Sequence, residues 1–218
     1  MHVLIINGSP RVKKFSNTDK ILQVFNEGMM ESDNTYEQYE VSNRNQWEKI
    51  RNAFDRCDNI LIALPLFVEC IPGLLLEFLE TVTPKSGNAT MSFILQSGFA
   101  EGVQLRCGEE YLQKLAGLLG CRYGGTLVKG NNFSIRLVEG QERENMTAPY
   151  KDMGRIFGQK GNFEDEECRK FTGPEIFPAP VRLLVGLMFK TFAAKSFEKT
   201  AKEWGCTRPL KDRPYQAG

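Results

Sequence analysis

The sequence lacks a surplus of charge of either sign and lacks long hydrophobic runs. Its 28 lysine and arginine residues nearly balance its 27 aspartate and glutamate residues, which leaves a net charge of +1. Because binding to the nucleic-acid backbone needs a surplus of basic residues, we expect no nucleic-acid partner. The longest hydrophobic runs, 60–68 and 183–189, are far shorter than the roughly 20 residues of a membrane-spanning helix, so we expect no stable membrane insertion.

Signals for metal binding and for export are also missing. The six cysteines include no pair at C-x-x-C spacing, and the chain has a single histidine, His2. We therefore expect no metal site and mostly buried, reduced thiols. The opening residues, MHVLIIN, lack the charged leader of a signal peptide, and Ser9-Pro10-Arg11 follows directly. A cytoplasmic location is the expectation.

Short hydrophobic runs alternate with helical patterns up to Gly158. Runs of strand length occur at His2–Asn7, Thr35–Val41, Ile60–Leu64, Met91–Leu95 and Cys121–Val128. Apolar residues at helical spacing lie between and after them, on Ile21–Met29, Trp47–Phe54, Leu75–Val82, Leu105–Leu119 and Met146–Phe157. Such alternation is typical of a parallel sheet covered by helices on both faces. We predict an α/β fold, a flavodoxin-like three-layer sandwich with five parallel strands in the order 2-1-3-4-5.

The pattern changes after Gly158. The stretch Gln159–Pro180 is rich in glycine and proline and is interpreted as an irregular connection. Ala179–Trp204 predicts a last helix with several large apolar residues. We therefore expect a flavodoxin-like domain at residues 1–158 and a C-terminal extension at 159–218. The extension would contain one long helix, packed on the domain or on a second subunit, and a homodimer is the expectation.

A loop suited to an anion follows the first strand. Its glycine and polar donors are Gly8, Ser9, Arg11, Ser16, Asn17 and Thr18. In an open parallel sheet, ligands bind beyond the carboxyl ends of the strands, and this loop leads into a helix N-terminus, where free N–H groups favour a phosphate. The alternative is a polar turn that only caps the helix, because Ser16 and Asp19 have capping-box spacing. No P-loop motif is present and no G-x-G-x-x-G follows the strand, which excludes those modes of nucleotide binding.

Two further loops follow neighbouring strands of the predicted sheet. One is apolar and aromatic, at Pro65–Val68, where its side chains could hold a flat ring or could simply cap the core or meet another subunit. The other, at Ser97-Gly98-Phe99, could cover a ring edge or be an ordinary turn between strand and helix. Because the three loops leave neighbouring strand ends, we expect them to converge. Phosphate donors beside apolar walls suit a mononucleotide with a large planar ring, and FMN is the obvious candidate.

The sequence resembles the flavodoxin-like NAD(P)H-dependent oxidoreductases, often called NADPH-dependent FMN reductases. The resemblance covers about residues 1–130 and rests on Asn7-Gly8-Ser9-Pro10-Arg11 with Ser16-Asn17-Thr18, Pro65-Leu66-Phe67 with Pro72 and Phe78-Leu79-Glu80, and Gln96-Ser97-Gly98-Phe99. It implies noncovalently bound FMN. The implied phosphate-binding residues are Ser9, Arg11, Ser16, Asn17 and Thr18. The other implied cofactor-binding residues are Pro65, Leu66, Phe67, Val68, Ser97, Gly98 and Phe99.

The resemblance also implies an activity. NAD(P)H would be the cosubstrate, and a quinone, flavin, nitro or azo compound the small-molecule electron acceptor. We expect no side chain to act as acid or base, backbone N–H groups near residues 66–68 and 98–100 to face the ring, and Cys70 to be a buried thiol. The competing interpretations are a flavodoxin-type electron carrier and a cofactor-free interaction protein. Carriers are typically shorter and strongly acidic, which this chain is not.

Overall fold

Five parallel strands form a single sheet in the computed structural model, which describes residues 1–213. The strands are β1 (His2–Asn7), β2 (Thr35–Glu40), β3 (Asn59–Pro65), β4 (Thr90–Gln96) and β5 (Arg122–Lys129). Their order across the sheet is β2-β1-β3-β4-β5, and every neighbouring pair is parallel. The predicted α/β architecture and strand order are confirmed. β2 lies at an edge of the sheet, in agreement with its polar sequence, TYEQYE.

Helices connect the strands and cover both faces of the sheet. Up to residue 175 they are α1 (Asn17–Met30), α2 (Trp47–Arg56), α3 (Gly73–Leu79), α4 (Arg106–Leu118), α5 (Gly140–Lys160) and α6 (Glu166–Phe171). The predicted helical patterns correspond to α1 to α5. The interpretation of residues 159–180 as wholly irregular is wrong, because α6 lies within them. Its start is stabilised by Asp165, whose side chain accepts a hydrogen bond from the N–H of Glu167.

Side chains of the strands fill two cores, because successive residues of a strand point to opposite faces of the sheet. On one face, Leu4 and Ile62 belong to the core formed with α2, α3 and α4. On the other face, Val3 and Leu61 belong to the core formed with α1 and α5. The inner strands are thus buried on both faces, which explains their continuous apolar sequences.

α1 and α5 approach each other closely at two glycines. A Cβ atom on Gly28 would lie 1.9 Å from the carbonyl oxygen of Lys151, and one on Gly154 would lie 2.0 Å from the carbonyl oxygen of Phe25. Both distances are far inside van der Waals contact, so only glycine fits at these positions. This contact fixes α1, and it therefore also fixes the position of the loop that precedes α1.

The chain divides into two compact units, Met1–Glu175 and the residues from Ile176 onward. The sequence analysis ends the flavodoxin-like domain at residue 158, whereas the first unit extends beyond α6. The reason is that Phe163 and Cys168 are buried in the core of α1 and α5, and that Gly102 donates its N–H to the Pro174 carbonyl at 3.0 Å. Of the predicted extension, residues 214–218 lie outside the described residues.

The second unit is helical. It contains α7 (Ala179–Met188), a π-helical turn (Phe189–Ala193) and α8 (Ala194–Glu203). Together these form one uninterrupted helical segment, as predicted from the sequence. Large apolar side chains of this segment are exposed in the single chain, among them Leu184, Phe192 and Phe197. Among residues 1–213, no helix is both long and apolar enough to cross a membrane.

Candidate functional site

The loops after β1, β3 and β4 begin beside one another. A hydrogen bond anchors the start of each loop to the end of the next strand: Gly8 N to Ala63 O (2.8 Å), Leu66 N to Gln96 O (2.8 Å) and Ser97 N to Lys129 O (3.1 Å). The strands therefore remain paired up to the points where the loops leave. The three predicted loops meet at the C-terminal edge of the sheet, where ligands bind in open parallel sheets.

The first loop follows β1 and forms two small turns. Asn7 Oδ1 accepts a hydrogen bond from the N–H of Ser9 at 3.1 Å, and Ser9 Oγ accepts one from the N–H of Arg11 at 3.3 Å. Lys13–Phe15 then form a turn of 3-10 helix. Ser9 is buried, whereas Arg11 is exposed. Ser9 therefore shapes the backbone, and Arg11 offers an open positive charge, as does the exposed Lys14.

α1 begins with a side-chain cap and two open backbone donors. Ser16 Oγ accepts a hydrogen bond from the N–H of Asp19 at 3.2 Å, as the capping-box alternative predicts. Thr18 Oγ1 accepts one from Gln96 Nε2 at 3.3 Å, and the side chains of Ser16 and Thr18 are buried. The first N–H groups of a helix have no partner within the helix, so those of Asn17 and Thr18 remain for an anion.

Asn17 connects the first loop to the segment after β5. Its Nδ2 donates to the Asn132 carbonyl oxygen at 2.6 Å. Asn132 is buried, and its own Nδ2 donates to the hydroxyl oxygen of Tyr150 at 2.8 Å. Among the described residues, no donor contacts the buried Oδ1 of Asn17. Unsatisfied buried acceptors are uncommon in folded proteins, and Asp19 Oδ1 and Asn26 Oδ1 are in the same state.

The second loop follows β3 and contains a strained turn. Phe67 and Cys70 exchange two backbone hydrogen bonds, of 2.9 and 3.0 Å. The residues between them, Val68 and Glu69, have positive φ angles of 47° and 67°. A positive φ is costly for a β-branched residue such as Val68. Strain of this kind concentrates at binding sites, where the surrounding structure maintains it.

Exposure divides the second loop into two parts. Pro65 and Leu66 are buried, whereas Phe67 and Val68 are 41% and 73% exposed. The side chains that can meet a ligand ring are therefore those of Phe67 and Val68. Cys70 is exposed as well, so the expectation of a buried thiol is wrong there. It closes the tight turn at the tip of the loop.

The third loop follows β4 and begins with a serine turn. Ser97 is buried, and its Oγ accepts a hydrogen bond from the N–H of Phe99 at 3.2 Å. Gly98 lies against the segment after β5, since a Cβ atom on Gly98 would be 3.3 Å from the Cβ of Phe133. The side chain of Phe99 is 44% exposed. It is the part of this loop that can cover a planar ligand.

Several backbone donors of these loops are used within the protein. The N–H groups of Leu66, Phe67 and Phe99 donate to acceptors of the chain itself. They are therefore not available to a bound ring, contrary to the expectation for 66–68 and 98–100. Of the residues for which a free N–H is expected, Val68, Gly98 and Ala100 donate to no acceptor among the described residues.

Positive charge gathers beside the first loop. Burial lowers the pKa of Arg136, and the nearby Arg11 lowers it further. Burial also lowers the pKa of Lys20, which lies near Arg143. Two acidic groups lie among them: Asp19, whose carboxyl pKa is raised by burial, and Glu40, which pairs with Lys13 at 3.4 Å. Because neighbouring cations repel one another, an anion bound near them is stabilised. This cluster of positive charge therefore favours an anionic ligand beside the first loop.

Comparison with solved structures identifies the architecture. An FMN-dependent NADH-azoreductase from Bacillus anthracis, solved in complex with FMN, is 16% identical; the match covers 72% of this chain and 99% of that one, with a TM-score of 0.54. An NADH:FMN oxidoreductase in its apo form is 15% identical, with 79% and 96% covered and a TM-score of 0.54. An NAD(P)H:quinone oxidoreductase from Methanothermobacter marburgensis is 18% identical, with 73% and 94% covered and a TM-score of 0.52. The chain has a flavodoxin-like fold.

Sequence comparison adds nothing to this likeness. No protein-family model matches the chain, and no curated protein matches it.

The edge of this flavodoxin-like fold fits FMN in its chemistry. A phosphate can take the open N–H groups of Asn17 and Thr18 and the guanidinium of Arg11. Phe67 and Phe99 offer exposed aromatic surface for a planar ring.

The segment after β5 also belongs to this site, although its sequence had not indicated a functional role. Asn132 bonds to Asn17, Phe133 lies against Gly98, and Arg136 lies near Arg11. A usable signal was present, because the loop after the last parallel strand leaves the same edge as the other loops. The predicted last strand ends at Val128, and no role is predicted for the polar residues that follow it, Gly130-Asn131-Asn132.

Proposed function

We propose that the protein is an FMN-dependent oxidoreductase that uses NAD(P)H to reduce a small acceptor, such as a quinone, a flavin, or a nitro or azo compound. The main support is one observation: the open helix donors of Asn17 and Thr18, the charge of Arg11 and the exposed rings of Phe67 and Phe99 lie at one edge of the sheet. The names of the three oxidoreductases with this fold support the same reaction class.

The residues of the chain would bind and orient the cofactor. Arg11 would neutralise the phosphate, and the first N–H groups of α1 would hold it by hydrogen bonds. Phe67, Val68 and Phe99 would flank the ring and exclude water from one of its faces. When bound, FMN supplies the redox chemistry by accepting a hydride and passing electrons to the acceptor. We assign no side chain a role as general acid or base.

The remaining cofactor-binding assignments differ in what each residue contributes. Ser9, Ser16 and Ser97 are buried and accept hydrogen bonds from nearby N–H groups, so they would keep the loops in shape. Pro65 and Leu66 are buried beneath the second loop and would support Phe67 from below. This division predicts that the exposed residues affect affinity directly, while the buried ones affect it through the fold.

Titration of the protein with FMN tests the binding proposal. We expect saturable binding that quenches flavin fluorescence. Arg11→Ala should weaken it about tenfold or more, because a charge-assisted hydrogen bond contributes about 1.5–3 kcal/mol. Arg51→Ala is the matched control, since Arg51 lies on α2 and outside the three loops. Absence of saturable binding, with Arg11→Ala identical to the wild type, would exclude the flavoenzyme and favour an interaction protein without cofactor.

Stopped-flow addition of NADH or NADPH to the FMN-loaded protein tests the reaction. Rapid bleaching of the flavin absorbance is expected for a reductase. A flavodoxin-type electron carrier binds FMN but shows no direct reduction by either nucleotide. Comparison of the two rates would also assign the preferred cosubstrate; we propose NADPH, in line with the family that the sequence resembles.

We also propose a cytoplasmic homodimer. All six cysteines are free thiols, which suits a reducing compartment. The helical segment 179–203 exposes apolar side chains, including Leu184 and Phe192, that a second subunit would cover. Sedimentation equilibrium should give twice the mass of one chain. Leu184→Glu should shift the protein toward monomer, and a wild type that is monomeric at all concentrations would refute the dimer.

A further inference from the structure

Three side chains capable of binding a metal converge near the N-terminal end of β1. The candidate flavin site lies beyond the opposite, C-terminal ends of the strands. His2 opens β1, Glu37 lies in β2, and Cys57 follows the end of α2. Each residue offers one ligand atom, and these three atoms all lie within 4.8 Å of one another. His2 and Asn7 are at opposite ends of β1, about 17 Å apart at the usual rise of a strand. This cluster is therefore separate from the three loops.

The sheet explains why these residues meet although they are far apart in sequence. His2 is in register with Thr35 across the β1–β2 pair, so Glu37 is its diagonal neighbour on the same face. α2 covers this face, and Cys57 follows its last turn, with its N–H bonded to the Ala53 carbonyl at 3.0 Å. No short sequence motif could have indicated the cluster, since each ligand comes from a different element.

Two of the three distances between ligand atoms suit a small transition-metal ion, and all three are within 4.8 Å. Glu37 Oε1 lies 3.4 Å from His2 Nε2 and 3.4 Å from Cys57 Sγ. Tetrahedral zinc, with bonds of about 2.0–2.3 Å, places its ligand atoms roughly 3.3–3.7 Å apart. Imidazole nitrogen, carboxylate oxygen and thiolate sulfur are all ligands that zinc accepts. We propose that His2, Glu37 and Cys57 bind one zinc-type divalent ion, with a fourth position left for water.

Neighbouring groups hold two of the ligands in place. His2 Nδ1 lies 2.8 Å from Thr35 Oγ1, so this hydroxyl can accept the proton of Nδ1 when Nε2 binds a metal ion. Tyr39 donates its hydroxyl proton to Glu37 Oε2 at 2.8 Å and leaves Oε1 on the side of His2 and Cys57. Hydrogen bonds of this kind to metal ligands orient them and raise their affinity.

One cation competes for the same carboxylate. Arg56 Nη2 lies 2.7 Å from Glu37 Oε1 and 2.5 Å from Oε2. Its side chain is 55% exposed, so it can turn toward solvent or keep Oε2 alone. Metal binding therefore displaces one contact of Arg56, and Arg56→Gln should tighten it several-fold by removing the competing charge.

Titration of the full-length protein with Co²⁺, followed by displacement with Zn²⁺, tests this site. The expected result is one bound Co²⁺ with the charge-transfer absorption of a cobalt–thiolate bond, lost when Zn²⁺ is added. Cys57→Ser should abolish that absorption. The variant with Cys70, Cys107 and Cys206 all replaced by serine is the matched control and should retain it, because these are the exposed thiols.

The half-exposed His2 provides a variant that does not disturb the core. His2→Gln should weaken Zn²⁺ binding about tenfold or more, and Thr35→Val should weaken it about tenfold through the orientation of His2. Circular dichroism would verify that each variant folds. The proposal is refuted if His2→Gln binds Zn²⁺ like the wild type, or if the cobalt–thiolate absorption disappears in the triple serine variant but persists in Cys57→Ser.

Discussion

Asn17 and Asn132 join the first and last loops of the candidate site, with Asn17 Nδ2 donating to the Asn132 carbonyl at 2.6 Å. The residues are 115 positions apart in sequence. With a longer contact from the same Nδ2 to the Phe133 carbonyl oxygen at 3.4 Å, this bond connects the start of α1 to a segment that contains Phe133 and Arg136. The edge of the sheet is therefore a continuous surface that extends from the first loop to the end of β5.

Replacing the donor of Asn17 tests the importance of that bond. Asn17→Asp has nearly the same shape but presents a carboxylate oxygen to the Asn132 carbonyl. We expect a loss of about 1–2 kcal/mol in the free energy of unfolding, measured in urea, because a buried acceptor is left unpaired. FMN affinity should fall as well, since a negative charge is added beside the phosphate donors.

Asn43→Asp is the matched control for that substitution. Asn43 uses its side-chain oxygen to accept from the N–H of Asn45 at 3.2 Å, which an aspartate also does. Its stability should change by less than about 0.5 kcal/mol. Equal losses in the two variants would mean that the Asn17 bond has no special role.

Val68 stores backbone strain in the second loop. Because its φ is 47° and its side chain is 73% exposed, asparagine can replace it without losing packing. Val68→Asn should raise the free energy of unfolding by about 0.5–1 kcal/mol, since asparagine tolerates this conformation better than a β-branched residue. Val103→Asn, at an exposed position outside the positive-φ region, should give no gain. A loss of stability in Val68→Asn would contradict the strained turn.

Gly154 should not accept even one methyl group. Its added Cβ would meet the Phe25 carbonyl at 2.0 Å, so α1 and α5 must move apart. We expect Gly154→Ala to cost about 2–3 kcal/mol in thermal or urea unfolding. Gly117→Ala in α4, which has open space around it, should be neutral or stabilising because alanine favours helix. Similar stabilities of the two variants would disprove the close contact.

Asp19 predicts a specific pH dependence of stability. Burial raises its pKa above the ordinary value of 3.8 in the folded state. Its folded form then takes up a proton before its unfolded form does, so stability rises as the pH falls through the folded pKa and levels off below 3.8. Relative to Asp19→Asn, the wild type should therefore gain stability as the pH is lowered from 7 toward 4. A difference that is constant with pH would show that Asp19 is not perturbed.

The hydrophobic pattern was sufficient to predict the sheet. Runs such as VLII in β1 and ILIAL in β3 are buried on both faces, and their order between helical patterns leads to the arrangement 2-1-3-4-5. The pattern failed for α6, whose six residues are too short to show a helical period among glycines and prolines. It placed the end of the first unit too early for the same reason.

The pattern of apolar residues along the sequence determined the strands, because burial on both faces of a sheet requires a continuous apolar run. Parallel strands need crossover helices, so the alternation of strands and helices also determined where the three loops meet. Only the tertiary structure decided which atoms remain free at that edge. Ser16 and Thr18 use their hydroxyl groups internally, and Asn132 comes in from a distant segment. The physical reason is that a hydrogen bond between remote residues forms only when their atoms are placed to within a few tenths of an ångström. No local sequence pattern encodes that placement.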